Sequence, residues 1–291
     1  FKGDYFMYQA QERRLLTAEA INSYSCSLHD EEKSVATIQK YIHDICMAAE
    51  YFDGMELTKA VLIEWKDTLV EKYTAATVNT ILAALNGFFK FMGWNDLAMK
   101  PLKIQRSMFS NEDRELTYNE YKRLVYAAES TGNRRLSLVV QTICATGIRV
   151  SELQFITVKA VCVGRTEIVN KGKRRTIFLP NKLRRILTKY LKENGVKEGA
   201  VFTTRTGKPL DRSNIWRDMK ALCESAGVNP SKVFPHNLRH LFARTYYSME
   251  KDMSRLADIL GHANINTTRI YTMESGAVHA RQIERLGLTI T

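Results

Sequence analysis

Arginine, histidine and tyrosine side chains in the second half of the chain have the types and spacing for chemistry on a phosphate group. Arg149 and Arg239 can each grip a phosphate through two parallel N–H donors, which lysine cannot do. Glu152 follows Arg149 by one helical turn and can orient its guanidinium. His236 and Arg239 are three residues apart, so on a helix they share one face and can converge on one phosphate. Tyr271 is one of 13 tyrosines, and its case as a nucleophile depends on these neighbours.

The order of these motifs resembles that of the tyrosine recombinases, also called phage-type integrases. The matching segments are Thr146-Gly-Ile-Arg149-Val-Ser-Glu152-Leu, Lys171 in a basic turn, Pro235-His236-Asn-Leu-Arg239-His240, Leu260-Gly261-His262 and Tyr271. The resemblance covers residues 110–275 strongly and the preceding part, from about Thr17, more loosely. The wording from Phe234 to Ala243 is most similar to integrases of bacterial conjugative transposons and related mobile elements.

The resemblance implies that DNA strands are cut and rejoined with no metal ion, no cofactor and no ATP. Tyr271 would attack phosphorus and form a 3′-phosphotyrosyl intermediate, which a second strand's 5′-hydroxyl could religate. His236 would accept or relay the tyrosine proton, His262 would donate to a phosphate oxygen, and Lys171 would protonate the departing 5′ oxygen. Fixed cations would stabilise the charge of the transition state. The implied catalytic set is Arg149, Lys171, His236, Arg239, His262 and Tyr271, supported by Glu152 and by His240, which would bond the nearby backbone.

The charge of the chain is uneven and favours a nucleic-acid partner. Lys and Arg number 43 against 31 Asp and Glu, a net charge of +12. Residues 1–110 carry 12 − 14 = −2, and residues 111–291 carry 31 − 17 = +14. Because Lys and Arg neutralise phosphates, this charge favours a nucleic-acid partner. The resemblance implies that the partner is double-stranded DNA carrying recombination sites. The candidate DNA contacts are Lys100, Lys103 and Arg106 in a linker, and Lys173, Arg174 and Arg175 in the basic turn.

Composition also bounds the environment of the protein. No apolar run approaches the ~18 residues of a membrane span, and the start of the chain has no signal-peptide pattern. The five cysteines are scattered and form no CxxC pair, which predicts reduced thiols and no zinc site. We therefore expect a cytoplasmic protein, and the resemblance implies that it is bacterial and associated with the nucleoid.

The elements that must position the chemistry are predicted to be mainly helical, with a small antiparallel β-sheet. Apolar periodicity predicts helices at 34–52, 58–73 and 77–92 in a helical core-binding domain, residues 1–106, that begins with an extension, 1–16. The periodicity fades over a basic linker at about 93–112. The resemblance implies that this domain and the α+β catalytic domain, residues 111–291, form a two-domain DNA clamp.

The catalytic domain is predicted to alternate helices with short strands. Thr117 and Glu120 form a capping box at one helix start, and a helix from Arg134 ends at Gly147. Further helices are predicted at 150–155, 180–193, 212–226, 237–249 and 254–260, and strands at 158–163, 167–170 and 176–179.

A final amphipathic helix is predicted at 275–288, with four apolar residues among charges. It either packs on its own domain or, as such tails do in the family, docks on a neighbouring protomer within a tetramer on DNA. An accessory excision factor is a further expected partner of a mobile-element integrase.

Three other functions compete with recombination. A type IB topoisomerase shares the chemistry but relaxes supercoils as a monomer, and the N-terminal domain and tail disfavour it. A catalytically dead DNA-binding regulator is disfavoured by the intact catalytic set. A metal-dependent transposase needs three carboxylates around two metal ions, and no such constellation is visible in the sequence.

Overall fold

The computed structural model describes residues 13–104, 112–170, 173–204, 206–262, 264–272, 281, 283–286 and 288. The chain divides into two compact units, Phe1–Arg106 and Ser107–Thr291. None of the helices within the described ranges is both long and apolar enough to cross a membrane. Arg106, Lys171 and most of the predicted tail helix at 275–288 lie outside the described residues.

The first unit is a bundle of amphipathic helices closed over an aromatic core. Its helices are α1 (Ala18–Asp30), α2 (Val35–Phe52), α3 (Lys59–Lys72) and α4 (Ala75–Phe91), followed by a 3₁₀ turn at Asn95–Leu97. Each α-helix begins at a Ser or Thr whose side chain accepts a hydrogen bond from a first-turn backbone N–H. Tyr24, Trp65, Phe88 and Phe89 are buried in the core, where Tyr24 meets Phe88 edge to face.

The beginning of the predicted linker belongs to the first unit. Asn86 on α4 donates to the Met99 carbonyl and accepts from the Met99 N–H, both at 2.8 Å. Asn79 makes the same pair of bonds with Leu102, at 2.9 and 2.7 Å. Two side-chain amides on one helix therefore fix a segment whose sequence has no helical or strand periodicity.

The second unit builds a mostly helical core around one hairpin. Its α-helices are α5 (Tyr118–Ser130), α6 (Arg134–Thr146), α7 (Val158–Val163), α8 (Asn181–Glu193), α9 (Arg212–Ala221), α10 (Cys223–Ala226), α11 (Pro235–Glu250), α12 (Met253–Leu260) and α13 (Ile265–Arg269). Its 3₁₀ helices are Glu112–Arg114, Val150–Phe155, Pro230–Lys232 and Ile270–Thr272.

The hairpin strands are β1 (Arg165–Asn170) and β2 (Lys173–Phe178), which pair antiparallel with Ile168 opposite Arg175. Ile168 and Ile177 point into the core, whereas Val169 and Phe178 are exposed, as the alternation of a β-strand requires. The small antiparallel sheet predicted from the sequence is confirmed.

The strand predicted at 158–163 is wrong, because these residues form helix α7. Their valines favour a strand, but Thr157 accepts a hydrogen bond from the Ala160 N–H and starts a helix. Gly164 ends it after six residues in the left-handed region, at φ 86°. In a segment this short, the two caps outweigh the strand propensity of the residues between them.

Candidate active site

Arg149 is placed by the turn that links α6 to the following 3₁₀ helix. Gly147 ends α6 at φ 64°, and a Cβ there would come within 2.4 Å of the Phe242 ring, so only glycine fits. The Arg149 N–H then donates to Glu152 Oε2 at 2.7 Å, and Arg149 Nη1 donates to Glu152 Oε1 at 3.1 Å. About a third of the Arg149 side chain is exposed, while Glu152 is buried. The sequence prediction that Glu152 orients the Arg149 guanidinium agrees with this geometry.

Arg239 is the buried cation of the site. It lies on α11, whose first turn carries Pro235 and His236, and only 1% of it is exposed. Its guanidinium donates to the Gly147 carbonyl, to the Leu260 carbonyl at 2.6 Å, and to His262 Nε2 at 3.0 Å. Burial, followed by the neighbouring Arg149, lowers the pKa of Arg239 to about 10. Arg239 therefore ties α6, α11 and the end of α12 together and remains a cation at neutral pH.

His262 accepts rather than donates at the nitrogen that faces Arg239. A guanidinium can only donate, so His262 Nε2 must carry the lone pair and Nδ1 the proton. Nδ1 lies 2.8 Å from the hydroxyl oxygen of buried Thr268 on α13, which accepts a hydrogen bond from the Nδ1–H group. Burial and then Arg239 lower the pKa of His262 to about 4, which favours this neutral ring.

Tyr271 is packed among three histidine rings with its hydroxyl directed at one of them. Only 4% of the residue is exposed, and its hydroxyl oxygen lies 3.4 Å from His236 Nε2. The His240 ring meets it edge-on at a centroid distance of 4.3 Å, and the His262 ring stacks on it at 5.4 Å and 13°. Its neighbours thus hold the phenol ring from several sides.

The histidines around Tyr271 are held neutral. His236 is exposed, but partial desolvation of its ring lowers its pKa, and the positive charges of Arg239 and Arg149 lower it further. Burial and the neighbouring His236 lower the pKa of His240 to about 4. A neutral His236 can accept a proton from the phenol 3.4 Å away, so His236 and Tyr271 have the geometry of a base and a nucleophile.

The predicted DNA contacts in the basic turn separate into two faces. Arg174 is exposed on β2, but Arg175 points inward and is bonded to Glu152 Oε2 and, at 2.7 Å, to the Ile259 carbonyl. A phosphate contact by Arg175 disagrees with this placement, because the charge of its inward-pointing guanidinium is already paired with the buried carboxylate of Glu152. The parity of the strand contained the signal, since Arg175 shares a face with buried Ile177.

The remaining predicted residues are placed only in part. Lys100 and Lys103 are exposed near the end of the first unit. Lys173 pairs in the hairpin through its backbone, and nothing is described of its side chain. Arg106 and the predicted general acid Lys171 lie outside the described residues. Within the described ranges, no cluster of three or more His, Cys, Asp or Glu side chains is arranged to hold a metal ion.

Two neighbours of the site differ from what the motifs suggested. Thr268 is not among the predicted site residues, because a threonine carries no charge. Its role depends on a hydrogen bond with His262 that forms only in the folded chain. A weak signal was its place in the stretch Thr267-Thr-Arg-Ile-Tyr271. His240, predicted to bond the backbone, makes edge-on ring contacts with His236 and Tyr271.

Comparison with known proteins agrees with this geometry. More than half of the chain, residues 114–276, matches the phage integrase family. The chain is 30% identical to the tyrosine recombinase XerA of Thermococcus kodakarensis over 264 residues, which cover 87% of this chain and 90% of the relative.

Two solved structures share the fold. One is a lambda integrase tetramer bound to a Holliday junction, with 18% identity, a TM-score of 0.74, and coverage of 91% of this chain and 79% of that one. The other is the Tn1549 transposon integrase (residues 82–397) in complex with circular intermediate DNA, with 18% identity, a TM-score of 0.69, and coverage of 92% and 99%. The family match and the XerA relative, together with this fold, lead to one conclusion: the chain belongs to the phage integrase family and is a tyrosine-type site-specific DNA recombinase.

Proposed function

We propose that this recombinase integrates and excises a mobile DNA element through a 3′-phosphotyrosyl intermediate at Tyr271, without metal or ATP. The observation that carries the chemistry is the Tyr271 hydroxyl, 3.4 Å from His236 Nε2 beside the buried Arg239 guanidinium. The mobile-element assignment is supported by the wording from Phe234 to Ala243 and by the fold shared with the Tn1549 transposon integrase.

In the proposed reaction, Arg149 and Arg239 bind the non-bridging oxygens of the phosphate that is cut. Both cations are fixed by protein groups before DNA arrives: Arg149 by Glu152, and Arg239 by two backbone carbonyls. Cations that are preorganised in this way stabilise the charge that develops in the transition state. The part of Arg149 that is exposed gives the phosphate access to its guanidinium.

His236 takes the proton of Tyr271 as the phenol oxygen attacks phosphorus. Its lowered pKa keeps it neutral at pH 7, so it is ready to accept that proton. His262 must change state before it donates to the phosphate, because its Nε2 accepts from Arg239 in the structure. A bound phosphate raises the pKa of His262 by its negative charge and competes for the Arg239 donors, and both effects favour a proton on Nε2. Lys171, which follows β1 in the sequence, protonates the departing 5′ oxygen.

Each unit contributes DNA contacts in this proposal. The second unit is the catalytic domain, and its excess of positive charge attracts the phosphate backbone. Arg174 is exposed on β2 and is available to a phosphate. The first unit is the core-binding domain, where exposed Lys100 and Lys103 supply contacts despite the acidic balance of residues 1–110.

Assembly uses the C-terminal tail, which docks on a neighbouring protomer in a tetramer. Ile283, Leu286 and Leu288 are 68%, 63% and 80% exposed, so these apolar side chains are not covered by their own chain. The lambda integrase of the same fold forms a tetramer on a Holliday junction. Truncation after Ser275 should abolish tetramers on DNA, as measured by light scattering of the complexes. Tetramers that persist in the truncated protein would contradict tail docking.

The test of the chemistry starts from DNA duplexes with a randomised central segment. The full chain is incubated with the pool, the reaction is stopped with detergent, and covalently bound DNA is recovered and amplified over several rounds. We expect a defined site to emerge with the wild type and with Tyr246→Phe and Tyr247→Phe, and no covalent DNA with Tyr271→Phe. Adducts that survive Tyr271→Phe would contradict the proposal, and adducts without sequence preference would favour a topoisomerase.

The mobile-element assignment has its own test. In cells that carry the gene, outward-facing primers within its coding sequence should amplify a circular joint, flanked by the recovered site. The joint should disappear with Tyr271→Phe. A chain that cuts the recovered site in vitro but yields no circular joint is a recombinase that serves no mobile element.

A further inference from the structure

Arg175 is the charged side chain that the hairpin sends into the protein. On β2 it shares the inward face with Ile177, while Arg174 is exposed on the other face. Only 9% of the Arg175 side chain is exposed, compared with 35% of Arg149. Long charged side chains rarely occupy such positions unless a partner compensates their charge.

Three contacts fix Arg175 between separate elements of the second unit. One Nη donates to Glu152 Oε2 in the 3₁₀ helix Val150–Phe155, and the other donates to the Ile259 carbonyl near the end of α12 at 2.7 Å. Its aliphatic part lies against Gly261, where an added Cβ would be 2.5 Å from Arg175 Cδ. Gly261 is left-handed at φ 65° and precedes His262, so β2 packs directly on the turn that carries this histidine.

Glu152 is the link between Arg175 and Arg149. Its Oε2 accepts from Arg175 and from the Arg149 backbone N–H, while its Oε1 accepts from Arg149 Nη1. The carboxylate is 2% exposed, so water cannot replace a lost partner. If Arg175 were removed, Glu152 could rotate toward Arg149 and the guanidinium would lose its fixed direction.

We propose that Arg175 is a positioning residue for DNA cleavage, holding Glu152 so that Arg149 faces the phosphate. This inference rests on the proposed role of Arg149 at the phosphate. The same side chain braces the backbone around Gly261, whose carbonyl lies 3.5 Å from Arg149 Nη2. Arg175 thus fixes both groups to which the Arg149 guanidinium is bonded among the described residues.

The hydrogen bonding of Arg175 suits positioning better than stability. Its Nε is buried with no hydrogen-bond partner among the described residues, so the side chain is not fully satisfied where it lies. Burial lowers the pKa of Arg175, and Glu152 opposes that shift. An apolar residue of similar volume would pack here at lower cost, so the ion pair is better explained by the group that it orients than by stability.

The test uses the full chain and a nicked duplex carrying the site recovered by the selection above, so that the short cut fragment diffuses away. Single-turnover cleavage rates at saturating DNA are compared with DNA affinities from mobility shifts. Arg175→Gln should cut roughly 100-fold more slowly, because a displaced catalytic group loses about that much rate, while its DNA affinity stays near that of the wild type. Arg174→Gln, which removes the same charge one residue away, should show the opposite split, with affinity weakened more than the rate.

The conservative variant and a double mutant separate positioning from folding. Arg175→Lys keeps the charge and should recover part of the lost rate, and circular dichroism reports whether each variant is folded. If Arg175 acts through Glu152, Arg175→Gln combined with Glu152→Gln should cut no more slowly than the worse single variant.

The outcomes distinguish this inference from the proposed function. A wild type that forms no adduct overturns the proposed function and this inference with it. A wild type that cuts while folded Arg175→Gln cuts equally fast overturns the positioning role alone. Losses that multiply in the double variant, or affinity that falls as much as the rate, also contradict it. If Arg175→Gln fails to fold, the test uses Arg175→Lys instead. A cleavage rate of Arg175→Lys equal to that of the wild type at saturating DNA would then contradict the positioning role.

Discussion

The two units of this chain bury different kinds of side chain. The core of the first unit is aromatic and aliphatic, and Asp44 is its one charged residue in the described part that is buried, paired with Lys40 four residues away on α2. The second unit buries Glu152 and Arg239 and nearly buries Arg175. It also places half-buried His240 and His262 and exposed His236 around the buried Tyr271. The Asp44 pair is local to one helix, whereas the second unit's charges connect distant segments.

Stability dominates the design of the first unit, and chemistry shapes the interior of the second. An apolar core supplies stability without a desolvation penalty, so the first unit needs few buried polar groups. Buried cations with depressed histidine pKa values are costly for stability, and they accumulate at functional sites. Substitutions in the apolar core should therefore change mainly stability, and substitutions of the buried charges should change mainly the cleavage rate.

The largest expected effect is the loss of the buried cation. Arg239→Gln should slow covalent adduct formation on the order of 10³-fold, because a preorganised donor to the transition state is lost. Lys40→Gln, which breaks the ion pair of the first unit, is the matched comparison and should change the rate by less than about two-fold. Single-turnover cleavage of the nicked duplex measures both. Equal losses in the two variants would contradict a functional difference between the buried charges.

Removal of a core aromatic should affect the first unit through its stability. Trp65 is 2% exposed, and its ring centroid lies 5.5 Å from that of Phe52. Trp65→Ala should therefore lower the free energy of unfolding by about 3–5 kcal/mol. Ile63→Ala on the same helix, where the residue is 47% exposed, should lower it by less than about 1 kcal/mol. Urea denaturation followed by tryptophan fluorescence and circular dichroism makes the comparison. Similar losses for both would mean that Trp65 is not a core residue.

Acid should destabilise the second unit through its neutral histidines. Burial and the neighbouring His236 lower the pKa of His240 to about 4, whereas the unfolded chain has the ordinary value of 6.5. The unfolded state therefore binds more protons between these values, and stability falls as pH drops from about 6.5 toward 4. Between pH 7 and pH 5, His240→Gln should lose ~1–2 kcal/mol less stability than the wild type. Identical pH profiles would show that His240 is not buried as described.

The smallest expected effect is on a helix start in the second unit. The Thr117 hydroxyl accepts from the Glu120 N–H at 3.2 Å, and Glu120 Oε2 accepts from the Thr117 N–H at 2.8 Å. Thr117→Ala should cost about 1 kcal/mol of unfolding free energy, while Thr117→Ser, which keeps the hydroxyl, should cost much less. Neither variant should alter the cleavage rate at saturating DNA. A cleavage defect in Thr117→Ala alone would extend the site to α5.

Short motifs predicted which side chains of the candidate site lie next to each other along the chain. His236 and Arg239 share a helix turn, and Arg149 with Glu152 share another, so local spacing already determined their neighbours. Only the family resemblance predicted that these segments converge, since no spacing along the chain places Tyr271 beside His236.

What the sequence did not predict depends on caps and on contacts between distant segments. Thr157 and Gly164 turned a valine-rich stretch into α7 by capping both of its ends. The basic turn predicts a DNA contact for Arg175, but the alternation of the strand directs this side chain inward, where it bonds to Glu152. The pairing of Thr268 with His262 exists only in the folded chain.

The mass of the DNA-linked peptide tests most directly whether Tyr271 is the nucleophile. Wild-type protein trapped on the nicked duplex is digested with nuclease and protease, and the peptide that carries a residual nucleotide is sequenced by mass spectrometry. We predict that the nucleotide is joined through phosphate to the Tyr271 oxygen, in a sample prepared with a metal chelator throughout. A nucleotide on any other residue, or an adduct that forms only when metal is present, would contradict the account.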